Sequence, residues 1–315
     1  KLLSVPGSDP RRVNDLLLLR PDPGGHRDPE AKEESSNRHV VFFHGDIQNF
    51  QDEMALQPDA AQWLRWSLEQ VAVTLGHRFP DQHIWVVRAS TLYLNKFSCY
   101  HNFVDSNMFG APAHSFYSRD FGAFHHLSVR RHPVAIRTTF FSVLGRLLSV
   151  CDRAGVCVCR ALLSHGMQRA HLPNPLQLQA GADSGVSLTL VGFSKGCVVL
   201  NQMVYELSGA RADPQMAEFV KCISDMFWLD GGHPGGSDTW VTDRQVLKEL
   251  ASSGVSIHAH VTPYEVRDPM RAWVGREYGC FIKTLEELGA CPSKKLHFED
   301  EPASIENHFR VIQEF

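Results

Sequence analysis

No run of apolar residues in this 315-residue chain comes near the roughly 20 that a membrane-spanning helix requires, and the longest aliphatic stretch near its start covers only residues 16–19. A span of the bilayer is therefore not expected. Nor does one sign of charge prevail: 31 Lys and Arg stand against 35 Asp and Glu, a net charge of −4. No basic stripe interleaved with aromatics is present to neutralise a run of phosphates, so nucleic acid is not an expected partner. Paired cysteines are missing too. The eight cysteines are scattered without the C-x-x-C spacing of a zinc site, which points to free thiols and no metal. Cys151, Cys157 and Cys159 lie close together but lack the second cluster that a metal would need. Internal repeats are absent, and a chain that is 43% hydrophobic and 21% charged is too apolar for a disordered tail and long enough to bury a sizeable core. Because the sequence starts at Lys1 rather than Met, any targeting segment is expected to lie upstream.

What is present is alternation. Residues 39–43 (HVVFF) form a short apolar run that ends at His44, Gly45 and Asp46, as a buried parallel strand running into a loop would. Leu64, Leu68, Val71 and Leu75 recur at helical spacing and predict a helix over 59–76, with Asp59 as its cap. Strands then follow at 83–88, 187–191, 222–229, 255–261 and 295–298, and helices at 134–150, 195–207, 242–251 and 269–288. Strands separated by helices of this length need crossover connections, which build a mostly parallel sheet covered on both faces. The fold class is α/β, with one domain over 39–315 preceded by an N-terminal extension and linker at 1–38. Residues 20–38 are too polar and too rich in Pro and Gly to order themselves, although 15–19 could form an early strand. Two insertions interrupt the alternation. The stretch 91–133 is rich in aromatics and histidine and reads as a cap or pocket wall; 152–185 is polar, with Pro173 and Pro175, and reads as an exposed insertion.

The chemistry concentrates in Gly192-Phe193-Ser194-Lys195-Gly196. A G-x-S-x-G pentapeptide between an apolar strand and a helix is a nucleophile elbow, a turn so tight that both glycines must be small and the serine is lifted above the sheet. A serine hydroxyl needs a base to take its proton and a carboxylate to orient that base, and in this arrangement the chain order is Ser, acid, His. Asp268, in the loop after the strand at 255–261, is the preferred acid. Asp230, which ends the preceding strand, is the alternative, and Glu265 comes third. Whichever carboxylate is not the acid is expected to cap a loop. His308, after the last strand, fits the base; His258, His260, His297 and His233 are weaker choices. The oxyanion needs two backbone N–H donors, one from Lys195 and one from Gly45 or Asp46 in the loop after the first central strand.

Several segments resemble one uncharacterised family, that of the mitochondrial protein named for chromosome 2 open reading frame 69: WSLEQVAVTLGHRFP (66–80), KFSCYHNFVDSNMFGAP (96–112), LVGFSKGCVVLNQ (190–202), WLDGGHPGGSDTWVT (228–242), HVTPYEVRDPMR (260–271) and PASIENHFRV (302–311). The resemblance implies an α/β-hydrolase-like fold, a mitochondrial address in the matrix, and a role in respiratory-chain function and energy metabolism. It supplies no substrate. From the residues, the expected activity is hydrolysis of an ester, thioester or amide bond in a small-molecule or acyl substrate, with no metal or organic cofactor. The alternative is a hydrolase fold kept as a scaffold or assembly factor, without turnover, for a mitochondrial protein partner.

Overall fold

The computed structural model describes residues 1–8, 10–21, 37–116, 155–174, 176 and 185–315. In chain order its main elements are β1 (Leu2–Pro6), β2 (Val13–Leu19), β3 (Arg38–Phe43), α1 (Leu68–Arg78), β4 (His83–Val87), four short strands β5 (Thr91–Tyr93), β6 (Phe97–Cys99), β7 (Asp105–Ser106) and β8 (Pro112–Ala113), then α2 (Gly155–Arg169), β9 (Ser187–Phe193), α3 (Cys197–Ala212), α4 (Pro214–Lys221), β10 (Ile223–Leu229), α5 (Arg244–Ala251), β11 (Ser256–Val261), α6 (Ala272–Glu287), β12 (Ser293–Leu296) and α7 (Ile305–Glu314).

Eight strands form one sheet in the order β1-β2-β4-β3-β9-β10-β11-β12. From β4 to β12 every pairing is parallel, and β1 and β2 extend the sheet antiparallel at the β4 side. Successive side chains of a strand point to opposite faces, and here that alternation sorts the core into two. Val41 and Phe43, Trp85 and Val87, Leu188 and Leu190, and Met226 and Trp228 pack on one face with residues of α2, α3, α4, α5 and α6. Val40 and Phe42, Ile84 and Val86, Val191 and Phe193, and Phe227 and Leu229 pack on the other with residues of α1 and α7. Burial on both faces explains why these strands read as near-continuous apolar runs.

Four expectations change. The first 38 residues are not all extension and linker, because β1 and β2 join the sheet, Leu16 to Leu19 pairing one by one with Val87 to Ile84. The helix expected over 59–76 breaks into a turn of helix at Pro58–Ala61, a 3-10 turn at Leu64–Trp66 and α1. Ser67, not Asp59, caps α1. Its backbone is extended, its hydroxyl accepts from the Gln70 N–H, and the displaced Leu68 N–H donates to the Asn49 carbonyl instead. The stretch expected as an exposed insertion holds α2, whose Val156, Leu162, Leu163 and Met167 are buried. Gly166 lets α2 approach the sheet, since a Cβ there would sit 2.9 Å from the Trp85 ring. Lastly, Pro269–Arg271 forms a 3-10 turn before α6 rather than its first turn. The helix expected at 134–150, the later part of the 91–133 cap and much of 152–185 lie outside the described residues. Among the described residues, no helix is long and apolar enough to cross a membrane.

Candidate functional site

The chain leaves β3 for β4 on one side of it and later returns to place β9 on the other side. In open parallel sheets the loops diverge at such a reversal and open a crevice beyond the carboxyl ends of the strands. The loop after β3 carries Gly45 and Asp46, and the turn after β9 carries Ser194, so topology alone brings these segments side by side.

The turn after β9 is as tight as its sequence predicts. A Cβ on Gly192 would meet the Cys197 backbone at 2.9 Å, and one on Gly196 would lie 1.9 Å from the Phe43 carbonyl oxygen. Between them Ser194 adopts φ +50°, a left-handed conformation that side chains other than glycine rarely take. Two neighbours share this strain: Ile47, a β-branched residue, at φ +70°, and Asp230 at φ +47°. Conformations of this kind persist only where the surroundings over-determine them, and they cluster at functional sites.

The loop after β3 is held from every side. Gly45 must be glycine because a Cβ would lie 2.8 Å from the Ser194 Cβ. His44 accepts at Nε2 from the Ala89 N–H (3.0 Å), so its proton is on Nδ1 and is donated to the Gly45 carbonyl (2.7 Å). Burial lowers this imidazole to about 4 and keeps it neutral. The same Gly45 carbonyl accepts from the Ser98 hydroxyl, and the His44 carbonyl accepts from Tyr100. Gln48 closes the loop: its Oε1 accepts from the Gly45 N–H (2.8 Å) while its Nε2 donates to the Trp66 carbonyl. This corrects one expectation. The Gly45 N–H is occupied and cannot also serve an oxyanion. The Asp46 N–H makes no backbone hydrogen bond among the described residues.

Asp46 and Lys195 are joined by their side chains. Lys195 is fully buried, and its Nζ lies 3.1 Å from both carboxylate oxygens of Asp46 and 2.7 Å from the Phe109 carbonyl. Asp46 Oδ1 also accepts from the Ser98 N–H. Burial raises the Asp46 carboxyl against the opposing pull of Lys195.

The loop after β10 supplies the carboxylate that meets the imidazole. His308 Nδ1 donates to Asp230 Oδ2 at 2.7 Å, and both side chains are buried. Asp230 accepts in addition from the Thr262 N–H (2.7 Å) and the Thr262 hydroxyl (2.6 Å). His308 lies on the first turn of α7, whose cap is Ser304, and its ring sits between Phe193 (4.7 Å) and Tyr264 (5.0 Å). The preferred acid therefore stands elsewhere. Asp268 is part-exposed, caps the turn Pro269–Arg271 through the Met270 N–H, and pairs with Arg271, which holds its carboxyl below the usual range. The structure brings Asp230, and not Asp268, into contact with His308. The reason is local: Asp268 lies one helical turn past β11, whereas Asp230 lies at the tip of β10, beside Ser194.

Glu265, the third choice, is buried and hydrogen-bonded to Arg271 rather than to His308. Burial raises it to about 7, with Asp230 adding to the rise and His308 and Arg271 opposing it. Its carboxylate presses on Gly232, where a Cβ would come within 2.4 Å. His233 and His260 are buried, and burial lowers them to about 4 and about 3; His260 bonds His297 across the β11 edge, and His258 bonds Asp225. Sequence reasoning overlooked Thr262, Gln48, Ser98 and Tyr100. Only Thr262 had a local signal, the T-P-x-E pattern of a helix start. No group of three metal-ligating side chains is present among the described residues.

A carboxylate holding one nitrogen of a buried imidazole, beside a strained serine and a braced loop whose Asp46 N–H makes no backbone hydrogen bond among the described residues, is an arrangement able to activate a hydroxyl and receive negative charge. A family profile described as C2orf69 matches residues 1–291, a span that includes Ser194 and Asp230 and ends before His308. A curated relative from Danio rerio, "Mitochondrial protein C2orf69 homolog", is 61% identical over 324 residues, with 100% of this chain and 85% of the relative covered. "Mitochondrial protein C2orf69" of Homo sapiens is 44% identical over 334 residues, covering 100% of this chain and 86% of the relative. The Mus musculus homolog is 45% identical over 322 residues, with 99% and 85% covered.

Proposed function

The chain belongs to the C2orf69 family, and from that premise we propose that it is a serine hydrolase with an α/β-hydrolase-like fold, cleaving an ester, thioester or amide bond of an acyl substrate. One juxtaposition carries this: a left-handed Ser194 on a G-x-S-x-G turn, beside a buried Asp230–His308 pair, at the reversal point of a parallel sheet. Ser194 is the nucleophile. His308, with Nδ1 committed to Asp230, keeps Nε2 for the serine proton and later returns it to the leaving group. Asp230 is the orienting acid, and its three hydrogen bonds fix the carboxylate so that the imidazole cannot swing. The oxyanion is received by the N–H groups of Lys195 and Asp46. No cofactor enters these steps.

The relatives' names support a mitochondrial address. Location in the matrix, and service to the respiratory chain and energy metabolism, are carried by family resemblance alone. One observation favours a second reading, a scaffold for a mitochondrial protein partner. No hydrogen bond joins Ser194 to His308 in the structure, although such bonds are often long until substrate tightens them.

A fluorophosphonate probe separates the two. In the expected reaction the Ser194 Oγ–phosphorus bond forms, the phosphorus–fluorine bond breaks, fluoride leaves and the hydroxyl proton passes to His308. The wild-type protein should be labelled and Ser194→Ala should not. A folded wild type that resists the probe, together with full rescue of respiration in deficient cells by Ser194→Ala, would establish the scaffold.

A further inference from the structure

The side chains of the two residues just assigned as oxyanion donors are tied to each other. We infer that the buried Lys195–Asp46 ion pair is a positioning clamp that sets the spacing of the oxyanion hole and makes it depend on the segment carrying Phe109. This deepens the hydrolase proposal and rests on it.

An ammonium has three N–H donors, and the Lys195 Nζ meets three oxygens, two on Asp46 and the Phe109 carbonyl. None of the lysine side chain is exposed, whereas Asp46 keeps a quarter of its side-chain surface. Taking an ammonium out of water costs several kcal/mol, and a well-packed apolar side chain of similar volume commonly does as well or better for stability. Stability alone therefore gives little reason for a lysine at this position. Geometry does. Lys195 follows the nucleophile on the β9 turn, Asp46 follows Gly45 on the β3 loop, and no backbone hydrogen bond of the Asp46 N–H fixes that donor among the described residues. The ion pair spans the gap between the two loops through side-chain atoms alone, so neither backbone N–H is used in making it.

The clamp also has a third arm. Gly110, at φ +76°, lets the loop between β7 and β8 come close: a Cβ there would lie 3.1 Å from the Lys195 Nζ and 2.4 Å from the Ser98 carbonyl oxygen. The Ser98 N–H meets Asp46, and the Phe97 ring lies 5.8 Å from the ammonium. The short strands β5 to β8 thus grip the same ion pair through Phe97, Ser98 and Phe109, so a shift of this segment is transmitted to both donors.

Lys195→Met and Asp46→Asn test the clamp. With an ethoxy-fluorophosphonate probe, the saturable labelling rate separates into probe affinity and the rate of the chemical step. In the Ser194 adduct the phosphoryl oxygen occupies the oxyanion hole, so its ³¹P resonance reports the hydrogen bonds made there. Both variants should bind the probe as wild type does and react about 10-fold to 100-fold more slowly, since loss of a whole donor typically costs about 10²-fold to 10³-fold. Their ³¹P resonance should move toward that of the unfolded adduct. Asp46→Asn keeps the shape and an acceptor for Lys195, and carries the test if Lys195→Met fails to fold. Wild-type chemical rate and an unmoved resonance in a folded variant would make the ion pair a mere strut and leave the hydrolase proposal intact. A wild-type protein that takes no label would overturn both.

Discussion

Asp230 and Asp268 are both loop carboxylates downstream of the serine, and what separates them is the partner each one holds. Asp230 accepts from His308 and twice from Thr262, away from water. Asp268 bonds Met270 and Arg271 at the surface. Replacing Asp230 by Asn should leave the side chain in place but let the imidazole take the wrong tautomer, slowing fluorophosphonate labelling on the order of 10³-fold to 10⁴-fold. Asp268→Asn should leave the labelling rate unchanged and cost at most about 1 kcal/mol of stability, the usual worth of a cap. Equal labelling rates for Asp230→Asn and wild type would remove Asp230 from the proposed triad. At this scale the sequence offered residue types and chain order, which narrowed the acid to three residues. It could not choose among them, because hydrogen-bond distance to His308 is a property of how two loops fold toward each other.

The elbow shows how far a single element is written in its own residues. Gly192, Ser194 and Gly196 between an apolar strand and a helix already demand a tight turn, and the close approaches at both glycines are its physical content. Gly196→Ala would drive a Cβ to 1.9 Å from the Phe43 carbonyl oxygen, and neither backbone can yield without breaking the β3–β9 register. We expect this variant to lose several kcal/mol, on the scale of the most damaging single substitutions (about 4 kcal/mol or more). Gly279, on α6, has nothing within 4 Å of the added Cβ and an ordinary φ. Gly279→Ala should therefore stabilise by about 0.4–1 kcal/mol, through helix propensity and a less flexible unfolded chain. Chemical denaturation of the two variants reads both signs, and a stable Gly196→Ala would refute the tight-turn geometry. Other elements were less legible. The helix expected over 59–76 carried the right spacing but broke at Ser67, whose capping depends on Asn49 accepting the freed Leu68 N–H. Helix α2 was hidden because its apolar residues stand beside polar, proline-bearing sequence, and their burial against β1 and α3 is a matter of tertiary packing.

At the scale of the molecule, five histidines among the described residues are buried and held neutral. Burial lowers His39 to about 3, His44 to about 4, His233 to about 4, His260 to about 3 and His297 to about 4. In the unfolded chain each takes up a proton as pH falls through about 6.5. Between that value and the lowered ones the unfolded state binds more protons, so their contribution is complete above about pH 6.5 and drains away as pH falls toward 4. Glu265, raised to about 7, and Asp46, also raised, act in the opposite sense, because the folded state holds their protons at higher pH than the unfolded chain does. The histidines outnumber them, so the urea midpoint should be lower at pH 5 than at pH 7.5; an equal or higher midpoint at pH 5 would contradict this. The sequence by itself determined the α/β class and the central strands and singled out Ser194 and His308 as candidates, because apolar periodicity and short-range turn chemistry are local. Only the tertiary structure decided that β1 and β2 complete the sheet, that Asp230 faces His308, that the Gly45 N–H is spent on Gln48 and that Lys195 reaches Asp46. Each of these joins residues distant along the chain, and their meeting is fixed by strand order and loop packing, which no local pattern of residues encodes.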